Sequence, residues 1–230
     1  MKINHKKEYF YNTISETFDN QMNKYDLNKR LAIVFEKLLK PIEIKGRKFL
    51  DLGCGTGWFS KKAAESGAIV FSADIGLNLL KVSAIKCNSK KIVSDAGFLS
   101  FKDKTFDYIL ATELIEHTVD PKKTLREIFR VLKDGGTFVM TVPNNFWHFS
   151  ISIANILKIR KYEGNENWVG YYQLQRWLKD EGFIVEKIFG FHLFPFVFHF
   201  LNPLLNRMDD FSNLYSPVML NIAVRSKKPE

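Results

Sequence analysis

Cysteine is nearly absent from this chain, with two in 230 residues, Cys54 and Cys87. So sparse a set argues against a disulfide framework and fits a reducing compartment. No apolar run approaches the roughly 20 residues needed to span a bilayer. The opening residues, MKINHKKEYFYN, carry charge with no apolar stretch behind it. No signal peptide is therefore expected, and the chain reads as cytoplasmic. Neither a repeat period nor a low-complexity tract interrupts a globular composition that is 46% hydrophobic and 26% charged. Acidic residues are the scarcer charge, 25 against 34 lysines and arginines, which leaves a net charge of +9. That favours anionic partners or surfaces without identifying one, because the basic clusters (Lys6-Lys7, Lys45–Lys48, Arg225–Lys228) are small and scattered. Phenylalanine, by contrast, is plentiful: 21 residues, many of them in two irregular segments late in the chain.

The length suits one domain with one sizeable core. Residues 13–40 read as one or two helices, because Leu27, Leu31, Val34, Phe35, Leu38 and Leu39 recur at helical spacing before Pro41 stops the pattern. Short apolar runs at 48–52, 68–73, 91–94, 106–111 and 136–142 then alternate with helical stretches near 58–66, 77–84 and 121–132. A helix at 171–181 and strands at 183–189 and 218–225 complete the pattern. Strands separated by helices of this length imply right-handed crossovers, hence an α/β, doubly wound, mostly parallel sheet. The expected division is an N-terminal helical cap over 1–44, a core over 45–143, and acceptor-side insertions with closing strands over 144–230.

The stretch FLDLGCGTGWFS places Gly53, Gly55 and Gly57 directly behind an apolar strand. Glycine inside a regular element costs roughly 0.5–1 kcal/mol relative to alanine, so three together imply a need for bare backbone. A strand that ends in a glycine turn opening a helix is nucleotide-site architecture, although a structural tight turn would also use glycine. A dinucleotide fingerprint would need glycine where Trp58 stands, and no phosphate-cradling G-x-x-x-x-G-K-[ST] occurs.

The run Asp51-x-Gly53-x-Gly55-x-Gly57 instead resembles motif I of the class I S-adenosylmethionine-dependent methyltransferases. The resemblance, strong over residues 25–145, implies a Rossmann-like seven-stranded sheet and that cofactor. It implies that Asp51 lies near the cofactor's ammonium group and that the Gly53–Gly57 turn takes the nucleoside. It also implies that Asp74, with Ile75 behind it, accepts the ribose hydroxyls. In SDAGFLSF it assigns Asp95 to the adenine amino group and the Ala96 amide to a ring nitrogen. DLNKRL is similar to the DLNPLRL of ubiquinone-biosynthesis O-methyltransferases, which would aim Arg30 at the cofactor's carboxylate and give Thr112 a cofactor contact.

For the acceptor, Glu113, Glu116 and His117 would share one face if their segment were helical. They would then offer an oxygen-rich site suited to Mg²⁺ or Mn²⁺. The alternatives are that His117 is the base that deprotonates the acceptor, or that Glu116 and His117 only brace the loop. The small-RNA 2′-O-methyltransferases share E-x-x-E-H but add a later histidine. The segment GNENWVGYYQLQRWL has none, Glu166 being the nearest substitute and His148 lying out of position, which disfavours a nucleic-acid partner. The aromatic run HLFPFVFHFLNPLLNRM suggests a buried element, a substrate lid, or a patch for a lipophilic acceptor with peripheral membrane contact. His192 and His199 within it read as packed histidines ahead of acid/base groups. The leading expectation is methyl transfer to an oxygen of a small hydrophobic or lipid-linked acceptor; its rivals are a methyltransferase acting on RNA or on a glycan-lipid intermediate and, from another class, a cofactor-binding module without turnover.

Overall fold

The computed structural model describes residues 13, 18–39, 44–148, 167–192 and 215–230. Its centre is a sheet of seven strands: β1 (Lys48–Leu52), β2 (Ile69–Asp74), β3 (Lys90–Val93), β4 (Phe106–Thr112), β5 (Leu132–Pro143), β6 (Ile184–Phe191) and β7 (Asn221–Lys227). They lie in the order β3-β2-β1-β4-β5-β7-β6. The first five run parallel, and β7 inserts antiparallel between β5 and β6. The order reverses between β1 and β4, and in such sheets ligands bind beyond the strand carboxyl ends at that reversal.

Side chains alternate along each strand, and the alternation builds two hydrophobic layers. Leu50, Ile109, Phe138 and Ile222 face one layer, under α5 (Pro121–Val131) and α6 (Tyr171–Asp180). Their neighbours Phe49, Leu110, Val139 and Ala223 face the other, under α2 (Lys24–Ala32) and α3 (Trp58–Glu65). α2 starts because the Asn23 side chain accepts the Tyr25 and Asp26 amides, and it runs on into a π-helical turn over Ile33–Leu38. α5 starts where Asp120 caps the Lys123 amide and Pro121 supplies a pre-set first turn. α1 (Phe18–Gln21) is a single turn, and α4 (Leu77–Lys86) follows β2.

The strand expectations hold within a few residues, with two informative shifts. β5 begins at Leu132, ahead of the expected 136, and its opening residues include the Gly135-Gly136 pair. β7 begins at Asn221 and not 218, because Ser216–Val218 forms a 3₁₀ turn around Pro217, a residue with no amide to offer a ladder. The aromatic insertions fall largely at 149–166 and 193–214, and with them Glu166 and His199 lie outside the described residues.

Candidate functional site: the glycine turn and the acids around it

Gly53, Gly55 and Gly57 all adopt left-handed backbone, at φ +71°, +51° and +88°. They are bare for different reasons. A Cβ on Gly53 would sit 2.7 Å from Leu114 Cδ1, and one on Gly57 would sit 2.8 Å from Ser83 Cβ, where α3 meets α4. Those two glycines permit packing. Among the described residues a Cβ on Gly55 would meet nothing nearer than Phe18 Cε1, 4.0 Å away, so here the main chain is open to close approach.

Asp74, at the end of β2, braces that turn. Its Oδ2 accepts the Gly55 amide at 2.9 Å and its Oδ1 accepts the Gly76 amide at 2.8 Å. Burial raises the pKa of this carboxyl, against the pull of those backbone amides. A carboxylate offers about four acceptor positions, so two donors leave room for a pair of ribose hydroxyls. Ile75 is half-buried next to it.

Asp51 is 1% exposed. The Ser60 hydroxyl donates to its Oδ2 at 2.6 Å, while Oδ1 has no hydrogen-bond partner among the described residues. Burial pushes its pKa up to about 7; the Ser60 hydroxyl opposes the rise and the charge of Asp74 adds to it. An unpaired buried carboxylate oxygen is costly, and here it stands directly before the open turn. A ligand carrying an ammonium group would satisfy it, so the residues present fit S-adenosylmethionine.

The loop after β3 adds the next candidates. Asp95 Oδ1 accepts the Gly97 amide at 2.8 Å, and Ala96 is buried beside it. The loop is fixed from α5. Glu127 accepts the Leu99 amide at 2.8 Å, and Arg130 donates to the carbonyls of Leu99 and Phe101, both at 2.8 Å.

One participant escaped the sequence reading. Asp19, on α1, accepts the Thr56 hydroxyl at 2.5 Å and the Trp58 indole at 3.1 Å, and pairs with Lys86 at 2.6 Å. Burial would raise its pKa, but Lys86, Thr56 and Trp58 hold it below the ordinary value. α1 is thereby fastened onto the glycine turn. No local spacing signals a contact across 37 residues.

At the end of β4 the helix that would align Glu113, Glu116 and His117 on one face does not form. Glu113 takes left-handed backbone (φ 49°), and only Ile115–His117 makes a short 3₁₀ turn. Thr112 is half-buried at the strand end. The Glu113 carboxylate turns to the Thr141 hydroxyl (2.9 Å), the Asn221 amide (3.2 Å) and Arg30 (3.7 Å). Glu116 is buried with Oε1 3.8 Å from His117 Nε2, and its carbonyl accepts the Asn167 amide. Among the described residues no three His, Cys, Asp or Glu side chains are placed to hold a metal ion. The donor set proposed for Mg²⁺ or Mn²⁺ does not fit. Arg30 is held by Asp26 and lies near Glu113, and His192 Nε2 approaches the same Asp26 at 3.2 Å. His148 stacks edge-on against Trp168, apart from these contacts. No helix among the described residues is long and apolar enough to cross a membrane.

Comparison with known proteins agrees with this layout. A family described as a methyltransferase domain matches residues 50–140. Two uncharacterized proteins of Methanocaldococcus jannaschii are 37% and 36% identical, over 63% and 66% of this chain. The chain spans only 57% of the first and 67% of the second. A ubiquinone biosynthesis O-methyltransferase of Coxiella burnetii is 28% identical over 73% of this chain and 78% of its own length. Among solved structures, a chain from the complex of the Haloferax volcanii Trm112 methyltransferase activator with a methyltransferase superposes with a TM-score of 0.71. It is 17% identical, covering 96% of this chain and 98% of that one, a likeness of fold. By its motif, its sheet and these relatives, the chain belongs to the class I S-adenosylmethionine-dependent methyltransferases.

Proposed function

We propose that the protein binds S-adenosylmethionine over the glycine turn and transfers its methyl group to an oxygen of a small, hydrophobic or lipid-linked acceptor. The observation that carries the cofactor half is the conjunction at one turn of an open Gly55, a buried carboxylate oxygen on Asp51 without a partner among the described residues, and Asp74 bracing the loop. Asp74 would receive the ribose, Asp95 and the Ala96 amide the adenine, Asp51 the ammonium group, and Thr112 a further contact. Arg30 would meet the cofactor's carboxylate by turning from Asp26 and Glu113. The cofactor, when bound, supplies a methyl group already activated by its sulfonium.

What the chain must add is alignment, exclusion of water, and a base for the acceptor's proton. His117 is the candidate base, with its Nε2 beside Glu116, which would steady the imidazolium once the proton arrives. The oxygen acceptor and its lipophilic character are supported by the likeness to ubiquinone-biosynthesis enzymes and by the phenylalanine-rich composition.

Calorimetry with S-adenosylhomocysteine tests the cofactor half: micromolar binding is expected, and none at all would remove the reading. Labelled-methyl transfer to lipid, quinol and RNA fractions of the source cell tests the acceptor half. Label in the lipid or quinol fraction, lost in His117→Ala, is expected; label confined to RNA would replace the acceptor class.

A further inference from the structure

Behind Asp51 runs a chain of hydroxyls that cofactor contact alone does not explain. Asp51 Oδ2 lies 2.6 Å from Ser60 Oγ, which lies 2.7 Å from Ser72 Oγ, which lies 2.5 Å from Ser89 Oγ. Lys91 Nζ reaches Ser89 Oγ at 2.5 Å and is anchored by the carbonyl of Cys87 at 2.8 Å. Ser60 and Ser72 are fully buried, and the links come from β1, α3, β2, the turn before β3, and β3 itself.

The ends of the chain settle its direction. An ammonium group only donates and a carboxylate only accepts, and each hydroxyl has one proton to give. The donors therefore run from Lys91 through Ser89, Ser72 and Ser60 to Asp51. Hydrogen bonds aligned in one sense polarise one another, and in a dry interior the effect is strengthened. The other ionisable groups facing Asp51 are Asp74, whose like charge opposes its ionisation, and Cys54, whose thiol burial holds neutral.

We propose that Lys91, on the edge strand, is a positioning residue for the cofactor's ammonium group: through the three serines it biases Asp51 toward its carboxylate, so that cofactor binding expels a proton from Asp51 and Lys91 sets the pH at which this happens. The inference rests on the cofactor reading above. In the step, the Asp51 carboxyl loses its proton to solvent, the electron pair stays on the carboxylate, and no covalent bond to the cofactor forms. Burial pushes the Asp51 pKa up to about 7. Binding an ammonium below that pH therefore releases a proton, and affinity climbs with pH to a plateau above it. Without Lys91 the climb moves to higher pH.

The test is calorimetry of the full chain with S-adenosylhomocysteine, which keeps the ammonium group, in buffers of different ionisation enthalpy between about pH 6 and 8. The wild type should release a fraction of a proton that shrinks from about pH 6 to pH 8, and Asp51→Asn none. Lys91→Met and Ser72→Ala should each bind several-fold more weakly at pH 7 and recover toward wild-type affinity by pH 8. Lys91 is only half-buried, so its variant carries the test even if Ser72→Ala fails to fold. Wild-type binding without proton release, or a Lys91→Met profile that coincides with the wild type, overturns the proposal and leaves the cofactor reading standing. No wild-type binding at any pH overturns both.

Discussion

At the scale of single residues, the two acids at the glycine turn carry opposite lessons about stability. Asp51 has an ordinary value of 3.8 to start from and is raised to about 7 in the fold. The folded state thus holds this proton more tightly than the unfolded chain. That contribution to stability is fully present below about pH 4 and is lost as the pH rises through about 7, on the order of 4 kcal/mol by the size of the shift. Asp51→Asn, which cannot ionise, should therefore melt several degrees above the wild type at pH 8 and lose that advantage toward pH 4. In the same variant, affinity for S-adenosylhomocysteine should fall at least tenfold. A variant that melts with the wild type at pH 8 would show that Asp51 is not held under strain. Burial raises the pKa of Asp74 as well, but substitution there acts the other way, because its carboxylate satisfies two backbone amides. Asp74→Ala orphans both and removes the proposed ribose acceptor, and each lost bond to a charged group is worth roughly 1.5–3 kcal/mol. The expected result is lower thermal stability together with loss of measurable cofactor binding; unchanged affinity by calorimetry would mean that the ribose lies elsewhere.

Among the elements, those that strand rhythm and a glycine motif announce were legible beforehand, and those made by distant contact were not. β1, β2 and β4 carry apolar runs of the right length, and Asp51, Asp74 and Asp95 stand at or just beyond the ends of β1, β2 and β3 where that rhythm put them. The spacing of E-x-x-E-H would bring Glu113, Glu116 and His117 together only on a helix, which the segment does not form. Left-handed backbone at a non-glycine residue has no sequence signature, and here the Thr141 hydroxyl and the Asn221 amide draw Glu113 away from Glu116 and His117. A consequence is that EDTA should leave methyl transfer unchanged. Activity lost to chelator and restored by Mg²⁺ would require Glu113 to leave those partners. The fastening of α1 by Asp19 was equally invisible. Asp19→Ala removes the shared acceptor of Thr56, Trp58 and Lys86. Amide exchange over 18–21 and 53–58 should then accelerate, with S-adenosylhomocysteine bound several-fold more weakly. Exchange confined to α1, with affinity intact, would make the latch structural only.

Over the whole molecule, charge and burial divide the two binding events. The groups proposed for the cofactor are enclosed: Asp51 and Asp74 are buried near the carboxyl ends of β1 and β2, where salt screens poorly. The net charge of +9 is instead scattered along the sequence, what remains after each acid, such as Asp107 beside Lys133 or Asp134 beside Lys104, has cancelled a base. Charge so scattered attracts polyanions without selecting one. Binding of S-adenosylhomocysteine should accordingly change little between about 50 and 200 mM salt, since screening acts on exposed charges. A nucleic-acid acceptor held by six or more phosphate contacts would lose on the order of a thousandfold in affinity over the same interval. Methyl transfer to a lipid or quinol fraction has no such dependence, because the acceptor would be held by apolar contact. Label incorporation that persists at the higher salt therefore supports the hydrophobic acceptor, and a steep fall in step with RNA retention would turn the assignment toward nucleic acid while leaving the cofactor site untouched.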